Sequence, residues 1–365
     1  MSNLFDSFRI GRFRGFRDVE FSECGSTNLL IGANNSGKST VLEALAIYCR
    51  PFDKREWLAV LERREARSGR GARIDDLYWL FPREAVLRAD ALLPAISLAA
   101  TGLTPVESLE ARAERASRLR TLQIEIGEGE FEDNGQFEET GVDINVAATA
   151  SRFSSMPYRE TLDFWPDGNF TNTEASPTYR EVRSLTPFSH RIEPLQLKRL
   201  TQAGTEGWKP EVLKLLGDID PAILDLEILT PDGVSPSLHV NYAGLGLAPI
   251  SVLGDGLRRV VSIALAVANL KNGLLLIDEI ESAIHVSALE TVFNWLTGAC
   301  RRNNVQLFAT THSLEALDAL LPTAGGEMAC FRLNRPNHPK RVERFAPDLL
   351  RRLRFNRGLD VRQAP

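Results

Sequence analysis

Ile31-Gly32-Ala33-Asn34-Asn35-Ser36-Gly37-Lys38-Ser39-Thr40 decides how the rest of this chain is read. Leu29-Leu30-Ile31 before it is apolar enough for a buried strand, two glycines bound a loop, and a helix starts near Lys38. Glycine at both ends lets the backbone turn so tightly that successive N–H groups converge on one point. The helix start adds the positive end of its dipole at the same place. This arrangement fits a nucleoside triphosphate, with Lys38 reaching the β- and γ-phosphates and the Ser39 hydroxyl on Mg²⁺. The candidate nucleotide-binding residues are therefore Gly32, Ala33, Asn34, Asn35, Ser36, Gly37, Lys38, Ser39 and Thr40.

Upstream, residues 7–31 alternate and are rich in aromatics, which predicts a short antiparallel hairpin feeding the strand before the loop. Downstream, a helix is expected from Gly37 to Cys49, ended by Arg50-Pro51. From Phe52 to Arg120 the chain is dense in Arg and Glu, and Glu62–Arg67 and Glu110–Ala116 read as solvated helices. Thr121–Ile126 and Val142–Val146 alternate as strands around a loop at 127–141, and residues 150–185 are turn-rich and uninformative. Val212–Leu216 and Asp220–Leu224 read as helical, and Leu238–Tyr242 as a strand. An apolar helix opens at Leu253-Gly254-Asp255-Gly256-Leu257-Arg258-Arg259 and is terminated by Gly273. Two apolar strands, Leu274–Ile277 and Val305–Thr310, flank a helix from Ser287, which argues for a parallel α/β sheet.

Leu276-Ile277-Asp278-Glu279 sets two carboxylates at the C-terminal edge of a buried strand, where ligands of such sheets bind. Adjacent strand residues face opposite ways, so the two acids have different tasks. Asp278 completes the metal site begun by Ser39, and Glu279 orients or deprotonates the attacking water. His312, in Ala309-Thr310-Thr311-His312-Ser313, ends the neighbouring strand and is a catalytic candidate, either sensing the γ-phosphate or holding the attacking water. His190, His239 and His338 have no such setting, while His285 could face a partner subunit. The glycine-flanked helix start at Gly254, Asp255, Gly256 and Arg258 is a second anion site in a chain with one phosphate loop. A symmetric dimer, in which each copy closes over its partner's nucleotide, gives it a use.

The order of phosphate loop, long insertion, glycine-rich helix start, Asp-Glu strand and His strand resembles that of ABC-type ATPases. Gly254–Arg259, Ile277–Glu281 and Ala309–Ser313 are similar to the ATPases of the OLD (overcoming lysogenization defect) group. These are relatives of RecF and the SMC proteins and are frequent in bacterial antiphage defence. The resemblance implies an α/β ABC-type P-loop head with a mixed and parallel sheet, an antiparallel β subdomain and an inserted helical region. It implies ATP and Mg²⁺ as ligands and assembly as a homodimer or higher homo-oligomer. It also makes Arg14, in Phe13-Arg14-Gly15-Phe16, a candidate nucleotide contact, and leaves Gln123 and Gln196 as alternatives for the glutamine that joins the two lobes. Gly254 stands where transporter-type signatures have serine. About fifty residues follow His312, too few for the Toprim nuclease of OLD proteins, so any Toprim-type or other nuclease or toxin is a separate effector. The expected layout is an ATPase core in 1–50 and 205–335, an inserted region in 51–204 and a basic tail in 336–365.

Composition narrows the alternatives. A net charge of −5 gives no global attraction to nucleic acid, so DNA contact would need a local basic surface such as the tail. Cys24, Cys49, Cys300 and Cys330 stand far apart and read as core residues rather than a zinc site. Neither a secretion signal nor a bilayer-spanning run is found, so a cytoplasmic protein without a membrane partner is expected. The functional expectation is an ATP-hydrolysing sensor that controls a separate effector in antiphage defence. The alternatives are a RecF- or SMC-like DNA-repair ATPase and a slow-turnover ATP-bound scaffold.

Overall fold

The computed structural model describes residues 3–65, 73–82, 95–104, 106–127, 130–149, 158–166, 180–335, 338 and 340–363, with only the backbone at 64–65, 121–135 and 193–195. Alternating apolar residues place Ser7–Phe13 (β1) and Phe16–Phe21 (β2) in a hairpin, with Phe13 opposite Phe16. Thr27–Ile31 (β3) is buried at every position and leads through the phosphate loop into Lys38–Cys49 (α1) and Lys54–Glu65 (α2). Ile96–Thr101 (β4), Ser108–Gly127 (β5), Glu130–Thr149 (β6) and Tyr158–Phe164 (β7) then extend the first hairpin into a six-stranded antiparallel sheet, β2-β1-β4-β5-β6-β7.

Val182–Leu185 (β8) is followed by Glu193–Thr205 (α3) and Lys209–Ile219 (α4). Ile223–Leu229 (β9), Ser237–Tyr242 (β10) and Gly246–Pro249 (β11) form a small antiparallel sheet. The rest runs Asp255–Ala268 (α5), Leu274–Ile277 (β12), Val286–Arg302 (α6), Gln306–Thr310 (β13), Leu314–Thr323 (α7), Met328–Leu333 (β14), Val342–Phe345 (β15) and Pro347–Arg351 (α8). The central sheet has the order β15-β14-β3-β13-β12-β8 and is parallel except for β15.

That sheet is buried on both faces, and the strand period of two divides its side chains between two cores. Leu30, Leu274, Leu276 and Phe308 join α1 and the antiparallel sheet on one side. Leu29, Leu275, Ile277 and Leu307 join the helical layer of α3 to α7 on the other. Each fully buried leucine of β12 contributes about 1.5–3 kcal/mol. This packing fixes the C-terminal ends of β3, β13, β12 and β8 side by side, and the candidate residues sit in the loops that leave them.

Several local expectations are corrected. Glu110–Ala116 lies in β5, not in a helix: Leu109, Ala111 and Ala113 point inward and Glu110, Arg112 and Glu114 outward. Sheet pairing here overrides the helix preference of Glu, Arg and Ala. The expected loop at 127–141 is mostly strand, with β5 reaching Gly127 and β6 starting at Glu130, and residues 128–129 lie outside the described residues. Asp220–Leu224 is a helix end followed by the start of β9, and α5 stops at Ala268, before Gly273. β8 arises from the stretch that sequence left unread. All four cysteines are buried. Among the described residues no helix is long and apolar enough to cross a membrane.

Part of the basic tail is engaged within the fold. Arg341 donates to the Ser36 carbonyl at 2.6 Å, Arg344 pairs with Glu23 at 2.9 Å, and Arg354 grips Asp318 at 2.9 and 2.7 Å. Arg351, Arg352 and Arg357 remain exposed.

Phe308 is fully buried in β13 and meets Phe5 edge-on at 6.2 Å. Phe308→Ala is expected to lower the unfolding free energy by about 3–5 kcal/mol, read from the urea midpoint. A loss below about 1 kcal/mol would show that the core between the two sheets is not continuous.

Candidate nucleotide site

The phosphate loop is held in a conformation that only its glycines allow. Gly32 has φ +140°, and a Cβ there would stand 2.4 Å from the Leu333 carbonyl oxygen. Gly37 has φ +96°, and its Cβ would meet the Phe16 ring at 2.6 Å. Arg341 stacks on that ring, 4.8 Å from its centroid, and the bond it gives Ser36 fastens the loop to the β14–β15 connection. Lys38, nearly buried, curls back so that Nζ donates to Gly32 O at 2.9 Å and Ala33 O at 3.1 Å. Burial lowers its pKa to about 8, against the upward pull of Asp278, Glu281 and Glu279.

Ser39 Oγ donates to Asp278 Oδ1 at 3.1 Å. The Thr310 hydroxyl donates to the same oxygen at 2.6 Å and accepts the Glu279 N–H at 2.9 Å. β13 thereby fixes both acids at the end of β12. Glu279 has φ +46°, a left-handed corner that turns it away from the strand line. The strand alternation therefore ends before the two acids, and both carboxylate residues line the same cleft. His312 Nδ1 lies 3.4 Å from Lys38 Nζ, and the His312 backbone N–H donates to Glu281 Oε1 at 2.9 Å. Burial and the Lys38 charge hold the imidazole pKa below its usual value, so the ring is neutral at pH 7. An ammonium can only donate, which assigns the acceptor role to Nδ1 and the ring proton to Nε2.

Asn35, Ser36, Gly37, Lys38, Ser39, Thr40, Asp278, Glu279 and His312 line one cleft of about 470 Å³, within the range of small-ligand sites. Its far wall is Ser184–Phe188, the end of β8 and the loop that leaves it, and Arg63 of α2 completes it. Sequence reasoning missed these, because a short polar strand end carries no apolar period. Thr310 and Glu281 stood in motifs already quoted but without a role. Gly32, Ala33 and Asn34 shape the loop without lining the cleft. Arg14 pairs with Glu43 at 2.9 Å, and it is Glu43, not Arg14, that lines the cleft. Gln196 is buried between Ser189 and Ser262, outside the cleft, and the Gln123 side chain lies outside the described residues. His285 caps α6 by accepting the Ser287 N–H.

Gly254, Asp255, Gly256 and Arg258 do not join this cleft. Asp255 is held by Arg191 at 2.5 Å, with Arg258 at 3.3 Å and the buried His190 at 3.4 Å. A Cβ on Gly256 would strike the Ala283 carbonyl oxygen at 2.7 Å, whereas one on Gly254 would meet nothing. Arg259, fully buried, donates to the backbone carbonyls of Thr186, Asp278 and Glu279.

A family model described as "AAA domain, putative AbiEii toxin, Type IV TA system" matches residues 27–318. The chain is 39% identical over 115 residues to Uncharacterized protein MJECL11 of Methanocaldococcus jannaschii, an alignment covering 30% of this chain and 99% of that protein. It is 38% identical over 45 residues to Uncharacterized protein MJECL10 of the same organism, covering 12% of this chain and 20% of that one. Among solved structures, an SMC head bound to the C-winged helix domain of ScpA is similar at TM-score 0.48 and 11% identity, over 94% of this chain and 98% of that chain. An SMC head domain from Thermotoga maritima is similar at TM-score 0.41 and 12% identity, over 94% and 98%.

Gly37→Ala forces an L-residue into left-handed backbone, at about 1–2 kcal/mol, with the Phe16 clash added. Chemical denaturation is expected to show at least that loss. An unchanged midpoint would mean the loop does not require the glycine.

Proposed function

Belonging to the AAA-domain family that residues 27–318 match, the chain is a P-loop ATPase, and we propose that it works as an ATP-driven switch for a separate effector. The carrying observation is the convergence of Ser39, Asp278, Lys38 and His312 in one cleft while the Gly254–Arg258 element faces elsewhere. In this reading residues 1–50 and 205–335, with β8, form the ATPase core.

Lys38 exchanges its two loop carbonyls for the β- and γ-phosphate oxygens, and the loop N–H groups hold the remaining charge. Ser39 Oγ and Asp278 Oδ1, side by side, are the oxygen donors Mg²⁺ prefers, and they would hold the ion that neutralises charge on the β- and γ-phosphates. Glu279, turned out of the strand, positions a water in line with the γ-phosphate and takes its proton. The neutral His312 donates Nε2–H to a γ-phosphate oxygen.

Gly254, Asp255, Gly256 and Arg258 serve a second copy of the chain: their helix start reaches the partner's phosphates, so that ATP joins two heads and hydrolysis releases them. The family description names a toxin of a type IV toxin–antitoxin system, which favours a growth-control or defence setting with a nuclease or toxin partner. The OLD-like motifs point the same way.

Glu279→Gln should bind ATP normally and lower turnover at least about a hundredfold, since general-base catalysis supplies about 10²–10⁴. Equal turnover in both proteins, measured as phosphate release, would remove the role. For closure in trans, Gly254→Glu is the cleaner probe, because position 254 is open within its own chain. Mixing it with Lys38→Ala, each inactive alone, should restore one working site per dimer. No recovery on mixing would overturn the shared site.

A further inference from the structure

The family match stops at 318, so the family reading assigns no task to the last part of the chain. That part reaches the site nonetheless. The guanidinium of Arg362 donates to the backbone carbonyl of His312. Arg362 is itself locked, with Nε and a terminal nitrogen on the two carboxylate oxygens of Asp360 at 2.9 and 2.7 Å. This planar two-point grip fixes the fork's direction. The surrounding segment is anchored as well. Val361 is buried, Arg332 of β14 donates to Gln363 O at 2.7 Å, and Arg354 donates to Leu359 O at 2.6 Å while gripping Asp318 of α7. A charged group placed this firmly is an organised contact rather than a stray surface arginine.

His312 sits outside regular structure, between the end of β13 and the cap of α7. Three groups contact this residue, two at its backbone and one at its ring. Glu281 takes its N–H, Lys38 faces Nδ1, and Arg362 takes its carbonyl. Of these, Lys38 leaves when a triphosphate binds. Glu281 and Arg362 then hold the backbone of residue 312 from opposite ends of the residue.

We propose that Arg362 is a positioning residue for the γ-phosphate response: through the His312 carbonyl it aims the imidazole, making the segment 359–363 part of the nucleotide site. The proposal rests on the reading of His312 as the γ-phosphate contact. Arg341 provides the contrast, since it holds the phosphate loop that both ADP and ATP use. Its loss should weaken both nucleotides together.

The test compares, by calorimetry with Mg²⁺, the affinities for ADP and for a non-hydrolysable ATP analogue. Wild type, Arg362→Ala, Arg362→Lys, Asp360→Asn, His312→Ala and the Arg362→Ala/His312→Ala pair are needed. Loss of a charged hydrogen bond that acts only through the γ-phosphate should cut the preference for the analogue over ADP about tenfold in Arg362→Ala. ADP affinity should stay within about twofold, and Arg362→Lys should recover part of the loss. Asp360→Asn, which loosens Arg362 without deleting it, should move in the same direction by less. The pair should be no worse than His312→Ala alone, as expected for residues acting as one unit. Equal weakening of ADP and analogue in Arg362→Ala, or additive losses in the pair, would overturn the proposal. An unchanged preference in His312→Ala would remove the histidine's role and this inference with it.

Discussion

A single buried guanidinium ties the nucleotide site to the layer behind it. Arg259 extends from α5 and donates to the carbonyls of Thr186, Asp278 and Glu279, three backbone groups on two different loops. Burial lowers its pKa to about 10, and Asp278, Glu279 and Glu281 pull it back up, so it stays charged at neutral pH. Glu279 stands in left-handed backbone, a conformation that costs about 1–3 kcal/mol and persists only where neighbours impose it. The Arg259 bond to its carbonyl and the Thr310 bond to its N–H are those neighbours. α5 also carries the Gly254–Arg258 element at its start. The helix that begins at this glycine-flanked turn therefore also grips the Asp278-Glu279 corner from behind.

Charge in the cleft is interleaved rather than segregated. Lys38 and His312 press against one another, and burial disfavours the charged form of each. Asp278, Glu281 and Glu279 offset part of the Lys38 shift. The lysine spends its N–H groups on Gly32 and Ala33, carbonyls of the loop it must open to serve a ligand. In the proposed switch, a triphosphate takes over the Lys38 contacts and frees those carbonyls. Chemistry and loop conformation are thus coupled through one ammonium group.

What could be read in the sequence was whatever carried its own local signature. Gly32 and Gly37 announce a loop because no other residue tolerates that backbone. Asp278-Glu279 stands out because charge abruptly follows four apolar residues of a strand. The β5 strand was misread because Glu, Arg and Ala favour a helix locally, while their alternation gains meaning only once β4 and β6 lie beside them. β8 was missed because Ser184 faces the cleft, so function removed the apolar period that would mark it. Arg341 and Arg362 read as a basic tail because their acceptors, Ser36 O and His312 O, lie 305 and 50 residues away. Pairings at such distance leave no trace in spacing.

The inward use of those arginines also changes how the molecule is met from outside. The chain carries −5 overall, and several of its basic groups are engaged within the fold. Its net field is acidic, and physiological salt screens that field beyond a Debye length of about 8 Å. Two copies approaching one another repel before their surfaces touch, so dilute salt slows their encounter and physiological salt eases it. A partner with a basic face is instead drawn in, at association rates that fall as ionic strength rises.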